Sequence, residues 1–263
     1  MSKGTPVAVV TGASRGIGKR LCADLAAAGY DVVCTARTSS AAPGKLPGTV
    51  EETAALVERR GRRAMPLALD VQDEAAVAAL VERVYGAWGR CDLLVNNAAV
   101  APPKAALEDS IRRWRLAVDV NLNGPFYFMY HLCPRMAADG GGRVINVSSG
   151  AAVTPSFGRA SYTATKLALE GLTQALAHDL AGRVAVNCIR IDMPIWTEGF
   201  DVTLPADFDR SWFEDAVIMS DAVLWLARQE LEYTGRILTL GALREQGVVR
   251  PPTKATARAE RVG

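Results

Sequence analysis

The stretch VVTGASRGIGKRLCADLAAAG, residues 9–29, constrains this chain more than any other. An apolar run suited to a buried strand ends at Thr11, glycines follow at 12, 16 and 18, and apolar residues then recur at helical spacing. A strand that turns into a helix through glycines leaves backbone N–H groups and the positive end of the helix facing outward, with no Cβ in the way. A pyrophosphate fits such a turn. The spacing is TGxxxGxG rather than GxGxxG, and taken alone it also admits a plain packing role between strand and helix.

The rest of the chain repeats the same alternation. Val7–Val10, Val32–Thr35, Ala64–Leu69, Leu93–Val95, Val144–Val147, Val184–Ile189 and Ile237–Leu240 read as seven strands. Glu51–Arg60, Glu74–Trp88 and Tyr162–Leu180 carry apolar residues on one helical face and charges on the other. Near-continuous apolar strands separated by helices predict an α/β fold: a doubly wound parallel sheet, Rossmann-like, in a single domain over residues 1–249. Ala41–Gly48, with two prolines and two glycines, predicts a surface loop, and residues 250–263 predict a mobile basic tail.

Charge narrows the partners. Thirty Lys and Arg against 28 Asp and Glu give a net charge of +2, interleaved along the chain, so neither a nucleic-acid nor a membrane footprint shows. Cys22, Cys34, Cys91, Cys133 and Cys188 stand far apart with no CxxC pair and only two histidines in the chain, which argues against a disulfide frame and against a metal site. No apolar run approaches the ~18 residues of a membrane span. The expectation is a cytoplasmic protein with reduced thiols and a small-molecule partner.

The end of the second strand should reveal the type of dinucleotide. An acidic residue there would hold the ribose hydroxyls of NAD, but that place is Ala36, followed by Arg37, Thr38 and Ser39. With Arg15 inside the glycine loop, two guanidinium groups and two hydroxyls could surround a 2′-phosphate, which favours NADP(H) over NAD(H). The alternative is that both arginines are solvated surface residues.

A second stretch, SYTATK, places Tyr162 and Lys166 on one helical face. An ammonium beside a phenol stabilises the phenolate and makes it a usable acid and base. A bare YxxxK is common in helices, but Ser149 lies thirteen residues earlier, just past the fifth strand, with Ser148 as its competitor. The carboxyl edge of such a sheet is where ligands bind.

Taken together, these residues resemble the short-chain dehydrogenase/reductase family, in its compact single-domain branch, from about Val7 to about Gly241. The family's TGxxxGxG falls on Thr11, Gly12, Gly16 and Gly18, its adenine-cupping Asp-Val pair on Asp70 and Val71, and its NNAG on Asn96-Asn97-Ala98-Ala99. The resemblance implies a catalytic set of Asn121, Ser149, Tyr162 and Lys166. Tyr162 would be the general acid and base, Lys166 would bind the nicotinamide ribose and lower the tyrosine pKa, Ser149 would hold the substrate oxygen, and Asn121 would hold a water. The implied cofactor set is Thr11, Gly12, Ser14, Arg15, Gly16, Ile17, Gly18, Arg37, Thr38, Asp70, Val71, Asn97, Ala98, Tyr162, Lys166 and Thr197. Where the family usually has Pro-Gly after the sixth strand, this chain has Ile191-Asp192, and Asp192 reads as either a substrate contact or a turn residue.

The segment after the sixth strand sets substrate choice in this family. Here it offers Trp196, Phe200, Trp212 and Phe213, which line a pocket for an apolar or ring-bearing carbonyl or alcohol, pack the loop, or face another subunit. The glycine-proline loop with VEETAALVERRG also resembles the hydroxysteroid dehydrogenase-like branch. Family members are commonly dimers or tetramers built through two long helices, here Asn121–Ala138 and Tyr162–Leu180, so a homo-oligomer is expected. A competing reading, a silent NADP(H)-binding sensor or scaffold, fits less well because such relatives typically lose the tyrosine or lysine.

Overall fold

A computed structural model of the chain describes residues 4–101, 104–105, 107–202, 204–205 and 207–252. Seven parallel strands form its sheet: β1 (Val7–Thr11), β2 (Asp31–Ala36), β3 (Ala64–Ala68), β4 (Leu93–Asn96), β5 (Gly142–Ser149), β6 (Val184–Ile191) and β7 (Ile237–Thr239), in the order β3-β2-β1-β4-β5-β6-β7. The helices are α1 (Gly16–Ala27), α2 (Val50–Arg59), α3 (Glu74–Trp88), α4 (Ile111–Val118), α5 (Gly124–Ala138), α6 (Ala160–Asp179), α7 (Glu198–Asp201), α8 (Val217–Leu226) and α9 (Leu240–Glu245). This is the doubly wound single-domain fold expected from the sequence.

Alternation of side chains along each strand divides the core in two. On one face Ala8, Val10, Val32, Cys34, Leu93 and Val95 pack with Leu21 and Leu25 of α1 and Ile218 and Val223 of α8. On the other, Val7, Val9, Val33, Leu94 and Val144 meet Val77 and Leu80 of α3 and Phe128 and Leu132 of α5. Both faces being covered is why the strands read as unbroken apolar runs. Pro66 is tolerated because β3 is an edge strand.

Local signals set the helix ends. Thr49 and Asp73 cap α2 and α3 by accepting the N–H of Glu52 and Ala76, and Gly89 closes α3 in the left-handed region at φ 71°. Several expected elements differ in extent, three of them near the site. β5 and β6 run on to Ser149 and Ile191, which pair with each other in register. The helix expected from Asn121 begins instead as a π-helical turn, Asp119–Asn123, before α5. All five cysteines are buried free thiols, and no acidic, histidine or cysteine cluster able to hold a metal occurs among the described residues. No helix of the described residues is long and apolar enough to cross a membrane. Of the expected tail, Arg250 is docked on α8, its guanidinium forked onto Asp221 at 2.7 Å, while residues 253–263 lie outside the described residues.

Candidate active site

All seven strands being parallel, the carboxyl ends of β1, β2, β4 and β5 share one edge, and the candidate residues gather there. Gly12 and Gly16 hold φ of +69° and +53°, the region that disfavours a side chain. Gly18 is needed for space, since a Cβ there would lie 2.3 Å from the Gly12 carbonyl oxygen. The end of β4 stitches the loop in place. Thr11 Oγ1 accepts the N–H groups of Asn97 and Ala98 at 3.0 Å, and Asn97 Nδ2 donates to the Thr11 carbonyl at 2.8 Å. Thr11 and Asn97 thus shape the loop from beneath, and Ser14 is buried within it. The Gly16 N–H, at the start of α1, donates to Glu198 Oε2 at 2.9 Å, while Thr197 lies 3.1 Å from where a Gly16 Cβ would stand. A turn with glycines at 12 and 16, whose Gly16 N–H already donates to a carboxylate, fits the pyrophosphate of a dinucleotide.

At the end of β2 the convergence expected of two arginines is met by Arg15 and Thr38 alone. Arg15 Nη2 donates to Thr38 Oγ1 at 3.2 Å, and the same guanidinium binds the carbonyls of Leu46 and Pro47 at 3.1 Å, clipping down the expected loop. Ser39 is turned inward to accept the Ala42 N–H at 3.1 Å. Arg37, 61% exposed, leans toward Asp70 at 3.9 Å. Asp70 accepts from the Gln72 backbone at 3.1 Å, and Val71 packs on Gly124 with no room for a Cβ.

Ser149 closes β5 and faces Tyr162 in the first turn of α6. Its competitor Ser148 points away and donates to Glu170 Oε1 at 2.7 Å. Lys166 is 2% exposed, its Nζ donating to the Val147 carbonyl at 2.6 Å and standing 5.7 Å from the Tyr162 ring centre. Burial draws Lys166 down to about 8, opposed by Cys188 and by Glu170. Burial also pushes the Tyr162 phenol up, against the hydrogen bond with Ser149 and the charge of Arg159. In this geometry burial outweighs the groups that lower the phenol, and the Lys166 ammonium is engaged by the Val147 carbonyl. Asn121, fully buried in the π-helical turn, accepts the Val100 N–H at 2.8 Å and donates to the Val100 carbonyl and Thr165 Oγ1. It ties the segment after β4 to α6.

Comparison with known proteins gives this arrangement a family. Residues 6–195 match the profile described as short chain dehydrogenase. The chain belongs to the short-chain dehydrogenase/reductase family. It is 29% identical over 242 residues to hydroxysteroid dehydrogenase-like protein 2 of Xenopus laevis, covering 91% of this chain but only 58% of that protein's length. Among solved structures of the family, a metagenomic short-chain oxidoreductase in complex with NADP is 31% identical, with a TM-score of 0.73 over 89% of this chain and 96% of its own. A short-chain dehydrogenase from Mycobacterium paratuberculosis bound to NAD is 27% identical, with a TM-score of 0.78 over 90% and 96%.

The departure from the usual short-chain dehydrogenase pattern after β6 now has a shape. Ile191 prolongs the strand, and both carboxylate oxygens of Asp192 accept the Gly241 N–H at 3.1 and 3.3 Å, near the start of α9. Asp192 is thus a structural tie. The following segment is closed at its base where Trp196 N donates to the Glu214 carbonyl at 3.0 Å and Glu214 N to that of Pro194 at 2.8 Å. Its aromatics pack on one another around Phe213, which is 2% exposed: Phe200 meets it edge-on at 5.3 Å and Trp212 stacks on it at 5.0 Å. Trp212 keeps 51% exposure and Trp196 is also open to solvent. Three residues that sequence reasoning did not assign to the site emerge here: Glu198 on the glycine loop, and Glu170 with Arg190 behind Lys166. Glu170 alone carried a signal, since it continues the four-residue spacing of Tyr162 and Lys166.

Proposed function

We propose that the chain is an NADP(H)-dependent oxidoreductase acting on a carbonyl compound or the corresponding secondary alcohol. The observation that carries this reading is the meeting of Ser149, Tyr162 and buried Lys166 at the same sheet edge as the glycine cradle. A nicotinamide dinucleotide supplies or accepts the hydride when bound. The pyrophosphate would rest on the loop of Gly12, Ser14, Gly16, Ile17 and Gly18, and Thr197 would approach the nicotinamide end. Ser149 holds the substrate oxygen by a hydrogen bond, and Tyr162 gives that oxygen its proton in reduction and takes it back in oxidation. Lys166 supplies a positive charge close to the developing phenolate and reaches the ribose once released from Val147.

Preference for NADP(H) is supported by Ala36 in the place of an acidic residue, by Arg15 on Thr38 and by the exposed guanidinium of Arg37 at the end of the same strand. An apolar or ring-bearing substrate is supported by exposed Trp196 and Trp212 on the loop that leads from β6. Exposed Phe126, Tyr130 and Leu167 on α5 and α6 support a homodimer or homotetramer, in a cytoplasmic setting consistent with five free thiols. The test is fluorescence titration with NADPH and NADH, then a panel of ketones, aldehydes and alcohols followed at the reduced-nicotinamide absorbance. Turnover by the wild type and its loss in Tyr162→Phe, with NADPH binding kept, is the expected result. Near-normal turnover in that variant would refute the role of Tyr162, and tight binding without any turnover would favour a silent NADP(H)-binding protein.

A further inference from the structure

Tyr162, Lys166 and Glu170 follow one another four residues apart, so one face of α6 carries a phenol, an ammonium and a carboxylate in a row. Glu170 is 4% exposed, deep for a charged side chain. Two residues hold it. Ser148 donates to Oε1 at 2.7 Å, and Arg190 of β6 forks onto it, Nε to Oε1 at 2.9 Å and Nη2 to Oε2 at 2.5 Å. Ser148 also lies 3.5 Å from the Lys166 carbonyl, and the residue before it, Val147, receives the Lys166 ammonium. Carboxylate and ammonium are thus anchored to adjacent residues of β5.

The groups around Lys166 are few. α6 itself brings Tyr162 and Glu170. β5 brings the Val147 carbonyl and the hydroxyls of Ser148 and Ser149. β6 brings Cys188, with Arg190 on the far side of Glu170, and the π-helical turn brings the Asn121 amide onto neighbouring Thr165. Arg159 acts on Tyr162 and Asp192 on Arg190 from the rim. Burial pushes the Cys188 thiol up to about 12, so it stays neutral. Glu170 therefore provides the negative charge in this chamber, opposing the burial that strips a lysine of its proton.

We propose that Glu170, clamped by Arg190 and Ser148, is a positioning residue for the acid/base pair, its carboxylate keeping the buried Lys166 charged and aimed along β5. This rests on reading Tyr162 and Lys166 as that pair. Arg190 offsets part of the carboxylate's field, so removing Glu170 and removing Arg190 move Lys166 in opposite directions.

With six lysines in the chain, ε-carbon NMR titration of the whole chain resolves Lys166, its signal assigned by loss in Lys166→Arg. Glu170→Gln, which keeps the shape and the Ser148 bond, is expected to lower the Lys166 midpoint by about one pH unit, tenfold in proton affinity. The alkaline limb of kcat/KM for the reduction shifts with it. Arg190→Met raises the midpoint. The double variant Glu170→Met with Arg190→Met replaces the ion pair by apolar side chains, a change buried pairs commonly tolerate, and shows a smaller fall. A salt bridge of purely structural value would lower Tm in the single variants, recover it in the double variant and leave the Lys166 midpoint in place. That result, or shifts of the same sign in Glu170→Gln and Arg190→Met, overturns the proposal. Turnover surviving in Tyr162→Phe would instead refute the acid/base reading, whatever Lys166 does.

Discussion

Gly18→Ala isolates how the glycine cradle works. Gly18 has ordinary helical φ, so alanine there carries no backbone strain, and by helix propensity it would even gain up to about 1 kcal/mol. Sterics decide otherwise. The new Cβ would stand 2.3 Å from the Gly12 carbonyl oxygen and 2.7 Å from Asn97 Nδ2, and real contacts essentially never fall below 3.0 Å, so the loop must open by at least about 0.7 Å. It has little slack, because Asn97 is tied to Thr11, which also accepts the Asn97 and Ala98 N–H groups. Overpacking against backbone costs about 1–3 kcal/mol, and the absence of slack puts this case at about 3. For a chain of this size that is a fall in Tm of roughly 6–12 °C, with loss of dinucleotide affinity expected because the displaced loop carries the N–H groups proposed to face the phosphates. Gly86→Ala, in the exposed face of α3 with nothing within 4 Å, is the control and should raise Tm by roughly 1–4 °C. The assays are thermal melts of both variants and NADPH titration. Unchanged Tm and unchanged NADPH affinity in Gly18→Ala would show that the cradle is not tight and would refute the reasoning.

Three further outcomes are expected. Arg37→Asp should weaken NADPH far more than NADH in paired titrations, and equal weakening would mean that Arg37 does not read the 2′-phosphate. Glu198→Gln removes a negative charge from the Gly16 N–H and should tighten NADPH and NADH alike by several-fold while costing less than about 1 kcal/mol of stability at the start of α1; unchanged or weaker binding would refute competition for that site. Asp31 is fully buried at the start of β2; burial would raise its carboxyl, but bonds from Arg63 and Arg62, each as short as 2.6 Å, outweigh that and hold it below the usual range. Its stabilisation is therefore complete above the unfolded value near pH 4 and is lost as pH falls through the lower folded value. Asp31→Asn should cost about 2 kcal/mol at neutral pH by denaturant unfolding and progressively less below pH 4; a cost that did not shrink in acid would contradict the pairing.

By itself the sequence determined the sheet and the ends of its chemistry. The five inner strands were legible because burial on both faces writes each as a near-continuous apolar run, and the cradle was legible because positive φ and close approach admit only glycine at 12, 16 and 18. Spacing put Tyr162 and Lys166 on one helical face and Ser149 or Ser148 at the sheet edge, and resemblance to the family singled out Ser149. What the side chains touch was decided by tertiary structure alone. Lys166 bonds to Val147, Arg15 to a loop some thirty residues away, Glu198 to Gly16 from the segment after β6, and the loop aromatics close on Phe213. Local rules of backbone and burial act over a few residues and leave their mark in the order of the chain. Hydrogen bonds between residues 19 to 182 positions apart depend on which strands lie side by side, and that is settled only when the sheet is assembled.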